Sequence, residues 1–540
     1  GDGGIRLCNS NLFQNASAAS RIDPVVETNI GLIRGLKSSD GTYSMFMGIP
    51  YATVNETNPF GASIPHPGFD EVFEAYDDSA ICPQISIEAE FNGNFMGSLD
   101  CLHLNIYVPN SASSVNRLPV LVWIYGGGFS FGFSGRYIYG PSYLVRHDII
   151  LVTLNYRLGP YGFLCLDTPD IPGNQGLKDQ YLALKWVKDH IESFGGDSNE
   201  ITIFGESAGG ASVDLHLFYN KDNLFNKVIM QSGTGMVSWI AIESDRSVPL
   251  RIADYLGFST TNAEEAVSFL STVDTKLVFF FFFFFFFFFF IPCIEKVFEG
   301  VESFMTEHPF DKVIPQVKNT PILIGHNSDE QIVAASSLQE NLIRNYMRDL
   351  FNFEADQLVE MENVMKHFYV GDEDRNDLSD QYFRSMVDFN SDFMFVHPTQ
   401  RGIQKYLENE AKNIYQYMFS YNGGRNYMKK QFNTTIGGAA HADELGYLFD
   451  ISYMKDERSP EDQLVIDRIT TLWANFVKYG NPTPENNELL PVTWMPVTED
   501  TAFYLNIDSE LSLERRQFHD RMAFWDLFYE LNKKFQKGYK

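Results

Sequence analysis

Basic residues are scarce in this chain. Its 540 residues hold 41 Lys and Arg against 70 Asp and Glu, a formal net charge of −29. Such a surface repels phosphate backbones and anionic lipid, which excludes nucleic acid and acidic membranes as partners. Cysteine is sparse too, with Cys8, Cys82, Cys101, Cys165 and Cys293 only. Five cysteines cannot build a disulfide scaffold, and none falls in the C-x-x-C spacing of a metal site. The opening Gly1-Asp-Gly-Gly-Ile-Arg6 lacks the charged start and apolar run of a signal peptide, as a processed chain would. The C-terminal residues carry neither a retention tetrapeptide nor an apolar tail for a lipid anchor. The longest apolar run contains twelve consecutive Phe at residues 279–290. It is too short for an ordinary membrane span and has no amphipathic period. Twelve exposed aromatics would aggregate, so the run is read as standing for residues of unknown identity. No function is drawn from it.

What is present is ordinary for a globular protein: 44% hydrophobic and 21% charged residues. Residues 1–24 are small and polar and are expected to be loose. Residues 25–51 suggest short strands separated by glycine turns. Continuous apolar runs follow at Pro119-Val-Leu-Val-Trp-Ile-Tyr125, residues 149–154, 201–204, 227–230 and 321–324. Such runs are typical of strands buried on both faces of a parallel sheet. Leu102-His-Leu-Asn-Ile-Tyr-Val108 reads as an alternating strand. Between them, residues 175–194 carry Leu177, Tyr181, Leu184, Val187 and Ile191 at helical spacing, stopped by Gly195-Gly196. Alternating strands and helices are the grammar of a doubly wound α/β sheet. Residues 240–320 and 335–410 are expected to be mostly helical, 413–419 an outer strand and 516–537 a closing helix. With no repeat and no long linker, residues 25–540 are expected to form one domain.

One stretch organises the rest. Ile201-Thr-Ile-Phe204 runs into Gly205-Glu206-Ser207-Ala208-Gly209, and residues 210–217 can start a helix. G-x-S-x-G alone is a common glycine turn; between a strand and a helix it becomes a sharp elbow that lifts the Ser207 hydroxyl over the strand end. The glycines remove side chains that would clash in that turn. A serine hydroxyl is a poor nucleophile alone, so a base and an orienting acid are required. In this kind of fold they follow in the order acid, then histidine. Glu330 lies just past the apolar run 321–324, and His441 lies in a polar loop beside Asp443 and Glu444. Of the other downstream histidines, His326 is too close to the acid position, and His397 sits in a Phe-rich stretch that suggests packing. The expected roles are Ser207 as nucleophile, His441 as base and Glu330 as orienting acid. Gly126-Gly127-Gly128, at the end of another strand, leaves backbone N–H groups open. Gly127, Gly128 and Ala208 are therefore expected to hold an oxyanion, each donor being worth roughly 3–4 kcal/mol of barrier.

These residues, together with Gly48-Ile-Pro-Tyr51, Asp100-Cys-Leu-His-Leu-Asn105, Trp123-Ile-Tyr-Gly-Gly-Gly-Phe129, Asn155-Tyr-Arg-Leu-Gly159, Gly173-Asn-Gln-Gly176, Phe194-Gly-Gly-Asp197 and Gln231-Ser-Gly233, resemble the carboxylesterase/cholinesterase family of α/β-hydrolases over nearly the whole chain. Within it, residues 437–449 and Met45-Phe-Met-Gly-Ile-Pro50 look like insect carboxylesterases, similar to moth antennal and integument esterases that degrade pheromone or odorant esters. The resemblance implies an α/β-hydrolase fold and ester hydrolysis through Ser207, Glu330 and His441, with no metal and no cofactor. It implies a disulfide between Cys82 and Cys101 and a buried network of Glu206, Ser232 and Glu444 behind the catalytic pair. Cys8, Cys165 and Cys293 have no evident pairing. Members are mostly secreted, which gives weight to the sequons at Asn15, Asn55 and Asn433 as glycosylation sites. Leu99 stands where the family usually has Glu, and Gln331 where it often has Gly.

The expected substrate is a small hydrophobic ester, a pheromone or odorant acetate or a xenobiotic. The short loop between Cys82 and Cys101 holds Phe91 and Phe95 but no Trp for a choline, which argues against a cholinesterase. A juvenile-hormone esterase would usually carry Gln where this chain has Glu206. Non-catalytic adhesion relatives lose part of the triad, and here all of it is present.

Overall fold

The computed structural model describes residues 24–86, 93–285, 290–334, 341–372, 380–454 and 458–537. Cys8, Asn15, Phe91 and the expected loose segment up to residue 23 lie outside them.

An eleven-stranded sheet runs through the molecule. In chain order its strands are β1 (Leu36–Lys37), β2 (Tyr43–Pro50), β3 (His103–Pro109), β4 (Leu118–Ile124), β5 (Ile150–Leu154), β6 (Gly196–Glu206), β7 (Lys227–Gln231), β8 (Ile322–Asn327), β9 (Ile414–Phe419), β10 (Phe503–Ile507) and β11 (Leu511–Arg515). Across the sheet the order is β1-β2-β3-β5-β4-β6-β7-β8-β9-β10-β11. From β5 to β10 every neighbour is parallel, and both edges are antiparallel. The parallel strands are apolar without alternation because helices cover both faces. Among these are α1 (Gln175–His190), α2 (Ala208–Phe218) and α4 (Pro460–Tyr479), while α3 (Tyr427–Gln431) and α5 (His519–Asn532) are further helices of the chain. Trp123, Phe204 and Phe449 pack together at the centre of the core.

Several expectations shift. β3 is buried along nearly its whole length, because β2 and β5 flank it and both faces are covered. The strand expected on the outside, β9, is interior: the β10–β11 hairpin extends the sheet beyond it. Among the described residues of 240–320, α-helix is confined to Ser247–Tyr255, Ala263–Leu270 and Thr275–Phe285. Beyond residue 290 the chain is mostly irregular up to a short 3-10 turn, Pro315–Asn319, and Pro292, Gly300 and Pro309 interrupt any helix there. The closing helix ends at Asn532, followed by a 3-10 turn.

Two buried polar anchors fix the strand ends. Arg157 and Asp179 are both fully buried, with Arg157 Nε 2.7 Å from Asp179 Oδ2. Arg157 also donates to the carbonyls of Pro59 and Gly61. This ties the loop after β5 to α1 and to the N-terminal region.

Candidate active site

Ser207 sits between the last residue of β6 and the first of α2, with φ 57° and ψ −123°. That backbone conformation is strained for a non-glycine residue and persists only where its surroundings enforce it. The surroundings are crowded. A Cβ on Gly209 would lie 2.0 Å from the Ile124 carbonyl, and one on Gly233 would lie 2.0 Å from the Ser207 carbonyl. Ser207 N donates to the Gln231 carbonyl at 2.8 Å, clamping the elbow to β7.

The three glycines follow β4 after Tyr125. A Cβ on Gly126 would come within 3.0 Å of Ser207 Cβ, so this loop lies against the serine. Gly127 has φ 116° and Gly128 φ 61°, a region that L side chains rarely adopt. Ala208 is the first residue of α2, where an amide has no intrahelical acceptor. Gly127, Gly128 and Ser207 line one pocket of about 290 Å³ with His441 and Glu206. Its other walls are mostly apolar: Phe131, Phe133, Ile138, Tyr139, Tyr427, Met428, Phe432 and Leu445.

His441 reaches this pocket from the loop after α3. Its Nδ1 is 2.6 Å from Glu330 Oε2, and its backbone N–H donates to the Glu330 carbonyl at 2.8 Å. Two contacts between the same residues fix both position and orientation of the ring. Phe395 stacks on the imidazole with centroids 4.3 Å apart. It projects from a π-turn, Asp392–Val396, set between two helices. On the other side, Nε2 lies 3.1 Å from Glu206 Oε1, close enough for an ion pair but without hydrogen-bond alignment.

Of the residues expected behind the pair, Ser232 bonds Glu330 and Glu444 bonds Gln231 and Asn327, while Glu206 faces His441 Nε2. Glu330 accepts from the Ser232 hydroxyl and from Asn327 N at 2.7 Å. Glu444 accepts from Gln231 Nε2 at 3.0 Å and Asn327 Nδ2 at 2.7 Å. Gln231 in turn accepts from the Trp473 indole at 2.9 Å. Gln231 belongs to the Gln231-Ser-Gly233 motif, whereas nothing in the local spacing of Asn327, Trp473 and Phe395 marks them. Burial resists charge on His441, but Glu206 and Glu330 outweigh it and raise its pKa to about 9. Burial also raises Glu330, yet His441, Ser232 and Asn327 hold it below the ordinary carboxylate value. Glu206 is pushed up to about 8, chiefly by burial, with the Glu444 and Glu330 carboxylates adding to it and His441 opposing. Burial likewise raises Glu444 to about 7.

His326 is buried against Gln517, and His397 is bonded to Asp526, so neither enters the site. Cys82 and Cys101 form the implied disulfide. Cys165 and Cys293, which had no evident pairing in sequence, form a second disulfide across 128 residues. Asn433 is exposed, and Asn55 is half-buried in a turn where its side chain accepts from Thr57. Leu99 packs against the core, and Gln331 N donates to Ser391 Oγ. Among the described residues no group of three or more His, Cys, Asp or Glu could hold a metal ion. No described helix is long and apolar enough to cross a membrane.

A serine elbow at the C-terminal end of a central parallel strand, with a glycine loop on one side and a histidine–carboxylate pair on the other, defines an α/β-hydrolase. The chain belongs to the carboxylesterase family, whose model matches residues 22–525, and it is a carboxylic-ester hydrolase. Esterase FE4 of Myzus persicae is 31% identical, over 91% of this chain and 89% of that protein. The juvenile hormone esterase of Heliothis virescens is 28% identical over 97% of each. The bile salt-activated lipase of Homo sapiens is 29% identical over 93% of this chain and 69% of its own length. A crystal structure of juvenile hormone esterase from Manduca sexta, with OTFP covalently attached, superposes with a TM-score of 0.82 at 26% identity. It covers 94% of this chain and 100% of that one.

Proposed function

We propose that this ester hydrolase works through an acyl-enzyme on Ser207, with His441 as base and Glu330 as its orienting acid. The observation that carries the reading is the 2.6 Å contact of His441 Nδ1 with Glu330, in one pocket with a serine at φ 57°. His441 Nε2 takes the Ser207 proton as Oγ attacks the ester carbonyl. The oxyanion is held by the N–H groups of Gly127, Gly128 and Ala208. As the intermediate collapses, the C–O bond to the alcohol breaks and His441 returns the proton to the leaving oxygen. Water then attacks the acyl-enzyme by the same route, releasing the acid and restoring Ser207. Glu330 keeps Nδ1 protonated and stabilises the imidazolium.

The substrate in this reading is a small hydrophobic ester, with pheromone or odorant acetates and xenobiotic esters as its classes. Support comes from the mostly apolar pocket walls. A juvenile hormone esterase-like substrate is the second reading, favoured by the likeness to the Manduca sexta enzyme. That enzyme's covalent OTFP suggests a corresponding serine adduct here. Residues 25–540 act as one domain in this reading, and the chain is secreted with glycans on Asn15, Asn55 and Asn433. Two disulfides favour an oxidising compartment.

Hydrolysis of short- and long-alcohol acetates, a longer acyl ester and acetylthiocholine should be measured beside Ser207→Ala. Turnover should fall by about 10⁴-fold or more in the variant. Organophosphate inactivation should stop with it. Undiminished turnover by Ser207→Ala would overturn the mechanism, and a flat response to alcohol length would favour xenobiotic esters over pheromone acetates.

A further inference from the structure

The loop that carries His441 has little regular structure between the end of α3 and Leu445. Its polar backbone groups need partners from elsewhere. A single buried lysine supplies a donor to two of the loop's carbonyls. Lys429, in the middle of α3, has a side chain only 4% exposed. An ammonium has three N–H donors and no acceptor. All three are used: Nζ donates to Asn422 Oδ1, to the Gly438 carbonyl and, at 3.3 Å, to the Ile436 carbonyl. The same nitrogen lies 3.7 Å from Asp443 Oδ2.

Asp443 completes the lock. Its carboxylate accepts from Ala440 N at 2.7 Å, Asn426 Nδ2 at 3.1 Å and Lys429 N at 3.1 Å. These contacts close around His441, three residues after Gly438 and two before Asp443. Four residues at this end of α3, Tyr427, Met428, Gln431 and Phe432, also face the pocket that holds Ser207 and His441. A charged group buried this completely is costly unless every bond is met. Here the bonds join the pocket wall to the loop bearing the histidine.

We propose that Lys429 is a positioning residue that sets the base and the apolar pocket wall together, so that one side chain governs both turnover and selectivity for the alcohol part of the ester. With the ammonium removed, the carbonyls of Ile436 and Gly438 lose their donor and the loop relaxes. His441 then shifts against Glu330, while Met428 and Phe432 shift against the bound alcohol. The inference rests on the Ser207–His441–Glu330 reading and deepens it.

The test is Lys429→Met in the full chain, assayed with acetates of short and long alcohols, with active sites counted by organophosphate titration. Per titrated site, kcat should fall by about 10- to 100-fold, the scale of a sub-ångström to 1 Å misplacement. The ratio of kcat/KM for long over short alcohols should change by about 5-fold or more, and the acid limb of the pH profile should move. A purely structural lysine would lower the number of titratable sites but leave kcat per site, the alcohol ratio and the pH limb unchanged, and that result overturns the proposal. Should Lys429→Met not fold, Asn422→Ala removes one acceptor at an exposed position. It should change the alcohol ratio in the same direction by a smaller factor; an unchanged ratio counts against the proposal. Ser207→Ala assayed in parallel separates the two ideas. If it retains turnover the reaction itself is misassigned, whereas an inert Ser207→Ala beside an unaltered Lys429→Met sinks only the role of Lys429.

Discussion

Proton affinity at His441 is decided by opposing effects at one residue. Burial alone would keep the ring neutral, but Glu206 at 3.1 Å and Glu330 at 2.6 Å lift its pKa to about 9. From sequence, the midpoint of its titration is expected near the free imidazole value of about 6.5, shifted by its carboxylate neighbours. Glu206, facing Nε2, and Glu330, facing Nδ1, move it together, with Glu444 adding to them. A base acts in its neutral form, so the rate falls as pH drops through this pKa. Glu206→Gln removes one raising charge and should shift the acid limb of kcat/KM downward by about one unit or more. A pH–rate profile of both proteins checks this; coincident limbs would show that Glu206 does not face the working base.

At the scale of the element, the elbow works because β6 and α2 meet with no room for a side chain. Gly209 is as tight as any point of the elbow, with its missing Cβ 2.0 Å from the last carbonyl of β4. Gly209→Ala must push α2 away from β4, or β4 away from the glycine loop. It should cost about 3 kcal/mol or more of stability and much of the activity. Gly437→Ala is the control, because nothing lies within 4 Å of the added carbon and its φ is not in the left-handed region. It should change the denaturation midpoint little. Equal midpoints for the two variants would refute the steric account of the elbow.

For the whole molecule, buried titratable groups set how stability depends on pH. Burial raises Glu206 to about 8 and Glu444 to about 7, and His441 is raised to about 9. Each binds its proton more tightly folded than unfolded, so its stabilisation is complete below the unfolded pKa and is lost as pH rises through the folded value. Self-repulsion of a chain with net charge −29 acts in the same direction. His216 and His147 behave oppositely: burial lowers them to about 3 and about 4, so their contribution is lost as pH falls below the unfolded value. The melting temperature should therefore peak at about pH 6–7 and decline toward pH 9. Melting curves across pH 5 to 9 test this, and a Tm that climbs steadily to pH 9 would contradict it.

The sequence by itself determined the fold class and the elbow, and it nominated Ser207, Glu330 and His441 as the proposed triad. These are local signals: an apolar run for a buried strand, glycines where a turn excludes side chains, a polar residue just past a strand end. The tertiary structure alone decided what depends on distant segments meeting. It placed Phe395 on the His441 ring and Asn327 between Glu330 and Glu444. It also paired Cys165 with Cys293 and set β10 and β11 beyond β9. Lys429 illustrates the difference. In sequence it is one lysine of a Lys429-Lys430 pair, a residue type mostly found in water. Only packing brings two loop carbonyls, an amide and a carboxylate around its nitrogen, because buried polar groups far apart along the chain must find each other once water is gone.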